Sequence, residues 1–365
     1  MSFRLSIDGE RWAQSQRRVA ARLPGLVPVI KGNGYGFGAA LLAARCQDLG
    51  VPTVAVGTAA EIAPVRRIFR GEVMVMAPLQ LDDVPLATRA TGALVWTVAQ
   101  AEVLDRLAGL ASAPRVVLEL DSPLHQHGVP IAQLRSLAPV LRRVRLAGAA
   151  LHLPSGGNRA AATGAVLRAL AGLREAGVEL EDLWVSHLTA DEIDRLNRLE
   201  PEVRIRARIG TGLWLADRDA FTASGTVLDT RPVPGREPIG YRQRRSAAGA
   251  LVVVSGGTGH GIGLRSSTAR GGWFDRIQAA TAGAAHAAGL SPSPFHWAGR
   301  RLRYADVPHM QVSMLLVPTG TATPRIGDQL RCDVRMPVTT FDEITMTAST
   351  IDPAEPAGRS ALLAG

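Results

Sequence analysis

The sequence predicts an α/β fold in which a TIM-like (β/α)8 barrel is followed by a mostly β C-terminal domain. Between about residues 26 and 210, eight short apolar runs alternate with amphipathic segments, the pattern of repeated βα units around a parallel sheet. After about residue 221 the pattern changes to short strands separated by Pro and Gly turns. A chain of 365 residues that is 46% hydrophobic is long enough for two domains. We expect the barrel to span residues 1–221 and the C-terminal domain residues 222–365.

The apolar runs of the first region are predicted to be the barrel strands. They are Leu26–Ile30, Thr53–Gly57, Glu72–Ala77, Ala93–Val98, Arg115–Asp121, Leu146–Leu153, Leu183–Leu188 and Val203–Gly210. The amphipathic segments between them are predicted helices: Ala39–Leu49, Ala59–Phe69, Gln100–Leu110, Ile131–Arg142, Arg159–Ala176 and Ala190–Leu199. Eight such units favour a closed barrel.

The second region is predicted to hold five strands and one helical insertion. The strands are Gly225–Arg231, Ala250–Ser255, Met310–Val317, Asp328–Val334 and Glu343–Thr350. The insertion is Phe274–Ala288, and the tail Asp352–Gly365 has no periodicity, which predicts loose order.

Composition argues against several classes of function. The formal charge is +9, but the arginines are scattered and only 3 Tyr and 7 Phe are present for base stacking, so we expect no nucleic-acid partner. The two cysteines, Cys46 and Cys332, are too few and too far apart for a disulfide framework or a metal pair. There is no signal-peptide pattern and no apolar run of about 18 residues, so we expect a cytoplasmic protein without a membrane partner.

Only one of the 41 basic residues is a lysine, Lys31, and the other 40 are arginine. Arginine can supply positive charge and hydrogen bonds, but with a pKa above about 12 it cannot lose its proton, whereas a lysine ammonium can. A lone lysine therefore indicates amine chemistry, typically imine formation with the aldehyde of pyridoxal phosphate. Composition alone could also leave one lysine. However, Lys31 follows an apolar strand and precedes a glycine-rich turn, which is not the setting of a solvated surface lysine.

Polar residues also follow the other predicted strands. In a (β/α)8 barrel, catalytic groups lie at the carboxyl ends of the strands, because the loops that follow face one mouth. We expect one shared mouth for five strand-end residues: Lys31, Asp121, His152, His187 and Arg208.

The run that contains the lysine resembles the cofactor-binding motif of the alanine racemase family, whose members are pyridoxal-phosphate enzymes of fold-type III. The run reads Lys31-Gly32-Asn33-Gly34-Tyr35-Gly36-Phe37-Gly38, and a second matching segment reads Arg208-Ile209-Gly210-Thr211-Gly212-Leu213-Trp214. The resemblance implies the same barrel and β domain. It also implies that Lys31 forms the Schiff base and acts as a general base, while Tyr35 reaches the phosphate. Arg208 would hydrogen-bond the pyridine nitrogen, and the amides of Gly210 and Thr211 would hold the phosphate.

Three further matches extend the predicted site. His152 matches a histidine beside the cofactor ring, although a lone histidine on an apolar strand is often a core residue. Thr189, with Ser186 as the second choice, matches a phosphate-binding hydroxyl. Glu119 and Asp121 lie where the family has a lysine and an aspartate. A structural ion pair explains these acidic residues as well as a role in organising the site does.

The chain departs from the family pattern at the residues that decide the reaction. The family tyrosine that acts as the opposite-face acid/base is missing, because the matching segment reads Gly256-Gly257-Thr258-Gly259-His260-Gly261. His260 is predicted to replace it, since an imidazole pKa of about 6.5 suits proton transfer. The alternative is that the glycine-rich segment is only a flexible turn without catalytic function. Gln126 replaces an arginine that supports binding of the substrate carboxylate, and Met314 matches a substrate-site methionine. His125 and His127 lack a third ligand, so no metal is predicted.

The sequence thus predicts a divergent family member that uses pyridoxal phosphate and acts on an amino acid, most simply an alanine-like racemase. A decarboxylase or β-eliminating lyase on the same scaffold stays open, because such reactions need only one well-placed lysine. A cofactor-binding protein without turnover also stays open, because the tyrosine and the arginine are missing. The resemblance further implies a homodimer with shared active sites.

Overall fold

The computed structural model describes residues 2–156, 159–264 and 292–347. The chain forms two compact units, Ser15–Ala216 and a second unit that combines Met1–Gln14 with Asp217–Gly365. The expected boundary near residue 221 therefore lies close to the observed one, but the first 14 residues belong to the second unit and not to the barrel. The predicted helix Phe274–Ala288 and the tail Asp352–Gly365 fall outside the described residues.

The first unit is a closed barrel of eight parallel strands in chain order, with the first strand paired to the last. Its strands are β2 Leu26–Ile30, β3 Thr53–Val56, β4 Glu72–Val75, β5 Leu94–Val98, β6 Arg115–Leu120, β7 Arg145–Leu151, β8 Asp182–Ser186 and β9 Arg204–Ile209. Closure is set by the pairs Leu26 with Ala207, Val27 with Arg208 and Pro28 with Ile209. A closed parallel sheet leaves no unpaired edge, so the strand backbones are satisfied within the barrel.

Helices follow the strands around the barrel. They are the last part of α1 Gly9–Ala21, α2 Ala39–Asp48, α3 Ile62–Arg66, α4 Val84–Arg89, α5 Ala101–Ala108, α6 Leu134–Leu141, α7 Arg159–Glu175, α8 Ala190–Leu199 and α9 Thr211–Trp214. The barrel interior is packed by small and branched side chains around one indole: Val27, Val29, Ala55, Met74, Val95, Val117, Ala150 and Trp184. This interior is solid, so chemistry is confined to the ends of the barrel.

Strand β9 carries three arginines on one face, because side chains two residues apart in a strand point the same way. Arg204 and Arg206 lie toward the amino ends of the strands, where both contact Asp182. The Arg206 guanidinium lies over the Trp184 ring at 4.4 Å. Arg208, one step further along, lies toward the carboxyl ends and has a different partner.

The second unit is built on one eight-stranded sheet in the order β13-β16-β15-β14-β17-β10-β1-β18, with β13 also paired to β10. Its strands are β1 Phe3–Asp8, β10 Phe221–Val233, β13 Gly249–Ser255, β14 Pro292–Trp297, β15 Arg300–Tyr304, β16 Val312–Pro318, β17 Gln329–Cys332 and β18 Glu343–Thr347. A separate hairpin pairs β11 Pro238–Ile239 with β12 Arg244–Arg245. The predicted mostly β character of this region is confirmed.

Strand β1 explains why the first residues join the second unit. Phe3, Leu5 and Ile7 alternate with more exposed residues and are buried, the pattern of a strand with one covered face. The strand pairs antiparallel with β10 and parallel with β18. Its hydrogen bonds thus tie the start of the chain to segments more than 200 residues away.

Candidate active site

Lys31 directly follows β2, and its side chain is exposed. The backbone then turns sharply: Gly34 N–H donates to Lys31 O at 3.1 Å, and Phe37 N–H donates to Gly34 O at 2.9 Å. At Gly34 the φ angle is +62°, and a Cβ there would lie 2.8 Å from the Ala39 nitrogen, so only glycine fits. The turn therefore fixes the lysine at the carboxyl end of β2.

Glu61 clamps this turn to the neighbouring strand. Its Oε1 accepts from Gly32 N–H at 2.8 Å, and its Oε2 accepts from Gly57 N–H at 2.6 Å. Gly57 follows β3, so one carboxylate joins the ends of two adjacent strands beside Lys31. Sequence reasoning missed Glu61, although Thr58 and Glu61 form a capping box whose S/T-x-x-E spacing is visible in the sequence.

Arg208 and Glu119 form a buried ion pair in the barrel, between the ends of β9 and β6. Arg208 Nη1 lies 3.4 Å from Glu119 Oε2, and the two side chains are 4% and 2% exposed. Among the described residues, Arg208 Nε and Nη2 and Glu119 Oε1 have no hydrogen-bond partner. Burying such donors without partners costs free energy, so the guanidinium is expected to meet an acceptor that the described residues do not supply.

Tyr35 and Gly210 bring the first and last barrel loops together. The Tyr35 side chain is buried, and burial together with the nearby charge of Glu61 raises its pKa to about 12. Its hydroxyl lies so close to Gly210 that a Cβ at residue 210 would overlap it. Gly210 precedes the short helix α9, whose first amides, starting at Thr211, have no partners within the helix.

This contact gives a direct test of the loop packing. Gly210→Ala should destabilise the protein by about 1–3 kcal/mol, because the added methyl group must displace Tyr35. Gly212→Ala is the matched control, since its Cβ would meet only Ile209 Cγ2 at 3.4 Å. Urea unfolding of both variants measures the difference. Equal stability of the two variants would contradict the predicted crowding.

His152 is held in one orientation at the end of β7. Its Nδ1 lies 2.8 Å from Ser186 Oγ, and that oxygen also accepts from Leu153 N–H at 3.2 Å. Burial lowers the pKa of His152 to about 4, and the positive charges of Arg208 and Lys31 add to the shift. The ring is therefore neutral at pH 7.

His187 follows β8 and lies beside His152, with ring centroids 5.4 Å apart in an edge-to-face arrangement. Partial desolvation, then Lys31 and Arg208, lower its pKa below the ordinary value. Because Lys31 and Arg208 act electrostatically on both imidazoles, these four predicted strand-end residues share one mouth. The fifth, Asp121, lies on the same side, where its Oδ2 is 3.3 Å from His125 Nδ1.

Two predicted site residues of the barrel, Thr189 and Gln126, form none of the hydrogen bonds described above. The Thr189 hydroxyl donates to Glu192 Oε2 at 2.7 Å and accepts from Glu192 N–H at 3.4 Å, so it caps α8. This geometry favours a helix cap over a phosphate ligand, and its second choice, Ser186, is engaged with His152. Gln126 is exposed in the loop after β6.

The two predicted site residues of the second unit are built into that unit. His260 is 6% exposed; its Nδ1 accepts from Gly257 N–H at 3.2 Å, and its Nε2 lies 3.1 Å from Asp342 Oδ1. Burial opposes ionisation of Asp342, yet hydrogen bonds from Phe3 N–H and His260 lower its pKa. With both nitrogens engaged, His260 has the geometry of a structural histidine, and its catalytic role stays a prediction. Met314, on β16, packs against Val233, Ile239 and Leu251.

Comparison with known proteins identifies the family. The model of the alanine racemase N-terminal domain matches residues 7–213, more than half of the chain. The chain belongs to the alanine racemase family. No curated protein sequence matches it.

Solved alanine racemases share the fold at low identity. The enzyme of Bartonella henselae, solved with covalently bound pyridoxal phosphate, is 14% identical with a TM-score of 0.73, over 95% of this chain and 100% of that one. The alanine racemase of Clostridium difficile 630 is 15% identical with a TM-score of 0.70, over 91% and 86%. That of Bacillus anthracis is 18% identical with a TM-score of 0.69, over 90% and 84%. The predicted fold class and family are thereby confirmed.

Within residues 2–156, 159–264 and 292–347, no group of three His, Cys, Asp or Glu side chains is placed to hold a metal ion. In the same ranges, no helix has both the length and the hydrophobicity needed to cross a bilayer.

Proposed function

We propose that the protein is a pyridoxal-phosphate enzyme that moves the α-proton of an amino acid, with racemisation of an alanine-like substrate as its reaction. The observation that carries this proposal is the barrel mouth. There the chain's single lysine lies with a buried arginine, two of whose nitrogens have no partner among the described residues. Family membership and the covalently bound cofactor of the Bartonella henselae enzyme support it.

The residues of the mouth fit this cofactor. Lys31 would form the covalent bond to its aldehyde, and the unpartnered Arg208 nitrogens would donate to its pyridine nitrogen. The phosphate would be bound by Tyr35 and by the backbone at Gly210 and Thr211, where the Tyr35 hydroxyl already lies against Gly210. His152, neutral and fixed by Ser186, would lie beside the ring. When bound, pyridoxal phosphate supplies an electron sink for the α-carbon.

The side chains then determine which proton moves. A lysine amine that is released from the cofactor can accept the α-proton, since an amine binds a proton and a guanidinium cannot release one. Arg208 would meet the pyridine nitrogen with a guanidinium, a group that does not release a proton, so the bound cofactor would withdraw electrons less strongly and would favour reversible proton transfer over bond cleavage. Gln126 and Met314 are proposed to contact the substrate. Assembly into a homodimer with shared active sites stays a prediction, and so does a cytoplasmic location.

One experiment separates the reactions. The purified protein is loaded with pyridoxal phosphate and incubated in deuterium oxide with L-alanine, then with other single L-amino acids, and followed by proton NMR and chiral chromatography. Racemisation predicts the D-enantiomer with deuterium at the α-carbon. An amine product would indicate a decarboxylase, and ammonia together with a keto acid from a substrate with a β leaving group, such as L-serine, would indicate a β-eliminating lyase. Retention of every α-proton would contradict the proposed enzyme.

A further inference from the structure

His187 has a backbone conformation that needs an explanation. Its φ angle is +60°, in the left-handed region, although it is neither Gly nor Asn. For a residue with a Cβ this conformation is strained. Strain of this kind persists where the surrounding structure holds a side chain in a required position, and such positions cluster at functional sites. Here the strain directs an imidazole at the carboxyl end of β8, next to His152.

The neighbouring His152 is held in place by Ser186. Ser186 Oγ lies 2.8 Å from His152 Nδ1 and also accepts from Leu153 N–H at 3.2 Å. His152 thus presents a fixed, neutral ring against which His187 packs.

His187 itself is free to exchange a proton. In the part of the chain that the structure describes, neither of its ring nitrogens has a hydrogen-bond partner, and the side chain reaches solvent at the mouth. His125, on the same rim, is instead paired with Asp121. His260 is buried with both nitrogens engaged.

Partial burial, then the charges of Lys31 and Arg208, lower the pKa of His187 and so favour its neutral form. Lys31 and Arg208 are the cations that act on it, His152 is its uncharged neighbour, and the buried carboxylate Glu119 is paired with Arg208. His127 lies close enough to act on His152. A neutral imidazole at pH 7 can accept a proton and then return it.

We propose that His187 is a catalytic residue, the second proton-transfer group of the barrel mouth beside Lys31, with His152 as its positioning residue. This inference rests on the proposed function. In the step, the α-C–H bond of the substrate breaks, its electron pair stays with the substrate, and the proton forms an N–H bond on the His187 ring. The reverse transfer from His187 or from Lys31 restores a C–H bond. Both proton-transfer groups then come from one chain.

The test uses His187→Asn, because asparagine tolerates the left-handed backbone, and His187→Gly, which leaves space for added imidazole. His125→Asn is the matched control: the same substitution on the same rim, at a φ of +50°. The cofactor-loaded proteins are compared for α-deuterium exchange of L- and D-alanine at saturating pyridoxal phosphate. His187→Asn should lower the exchange of at least one enantiomer by about 100-fold or more, and imidazole should restore exchange to His187→Gly. His125→Asn should exchange near the wild-type rate.

A second readout needs no cofactor. In the cofactor-free protein, NMR titration of His152 should move to higher pH in His187→Asn, because a neighbour that can become positive is gone, and should not move in His125→Asn. Exchange that His187→Asn leaves intact, or weaker cofactor binding with an unchanged exchange rate, overturns the inference and leaves the proposed function standing. Wild-type protein that exchanges no amino acid overturns both.

Discussion

Lys31→Arg should abolish covalent attachment of pyridoxal phosphate and lower α-proton exchange by at least about 10³-fold, because a guanidinium keeps the charge but cannot form the imine or act as a base. The chain offers an unusually clean assay, since Lys31 is its only lysine. After borohydride reduction, intact-mass spectrometry should show one added pyridoxyl phosphate group on the wild type. Peptide mapping should place that group on Lys31 and not on the α-amino group of Met1.

A control variant tests whether a lysine elsewhere on the protein would also attach pyridoxal phosphate covalently. Arg22 is 70% exposed in its ion pair with Asp191, so Arg22→Lys introduces a solvated lysine at little structural cost. The double variant Arg22→Lys with Lys31→Arg should stay unlabelled at cofactor concentrations that label the wild type fully. Equal labelling of the double variant would show that the barrel mouth does not select its lysine, and the proposed function would be lost.

The barrel was predictable because its signal is local. Each strand is a short apolar run bounded by turn residues, and β2 has the predicted bounds Leu26–Ile30. The predicted helices Ala59–Phe69 and Ile131–Arg142 were too long: each begins with a 3-10 turn, and the α-helical parts are Ile62–Arg66 and Leu134–Leu141. Hydrophobic periodicity does not distinguish the two helix types over one turn.

What depends on distant partners was not predictable. Strand β1 shows only three alternating apolar residues, and its neighbours β10 and β18 follow more than 200 residues later. The surroundings of His260 depend on Asp342, 82 residues along the chain. By contrast, the role of Thr189 as a helix cap could have been predicted, because Glu192 three residues later completes a capping box. The phosphate-binding role that the family resemblance implies for Thr189 stays a prediction beside this cap.

Glu119→Gln should destabilise the protein by about 3 kcal/mol or more, because it removes one partner of a buried ion pair and leaves the Arg208 charge uncompensated. Glutamine has nearly the shape of glutamate, so lost packing contributes little. Arg208→Gln should cost a similar amount, since Glu119 then loses its ion-pair partner. Urea unfolding of the cofactor-free proteins measures both changes.

The double variant of Glu119 and Arg208 measures the coupling free energy between the two side chains. With both charges removed, Glu119→Gln with Arg208→Gln should be less destabilised than the sum of the single changes by about 1–3 kcal/mol, because neither charge is left buried alone. Additivity to within about 0.5 kcal/mol would mean that the pair is not coupled.

The same proteins also test whether Arg208 contacts the cofactor. A ligand that accepts hydrogen bonds from the unpartnered Arg208 nitrogens binds the folded state and raises the free energy of unfolding. Pyridoxal phosphate should therefore stabilise the wild type more than Arg208→Gln, since only the wild type holds those donors in place.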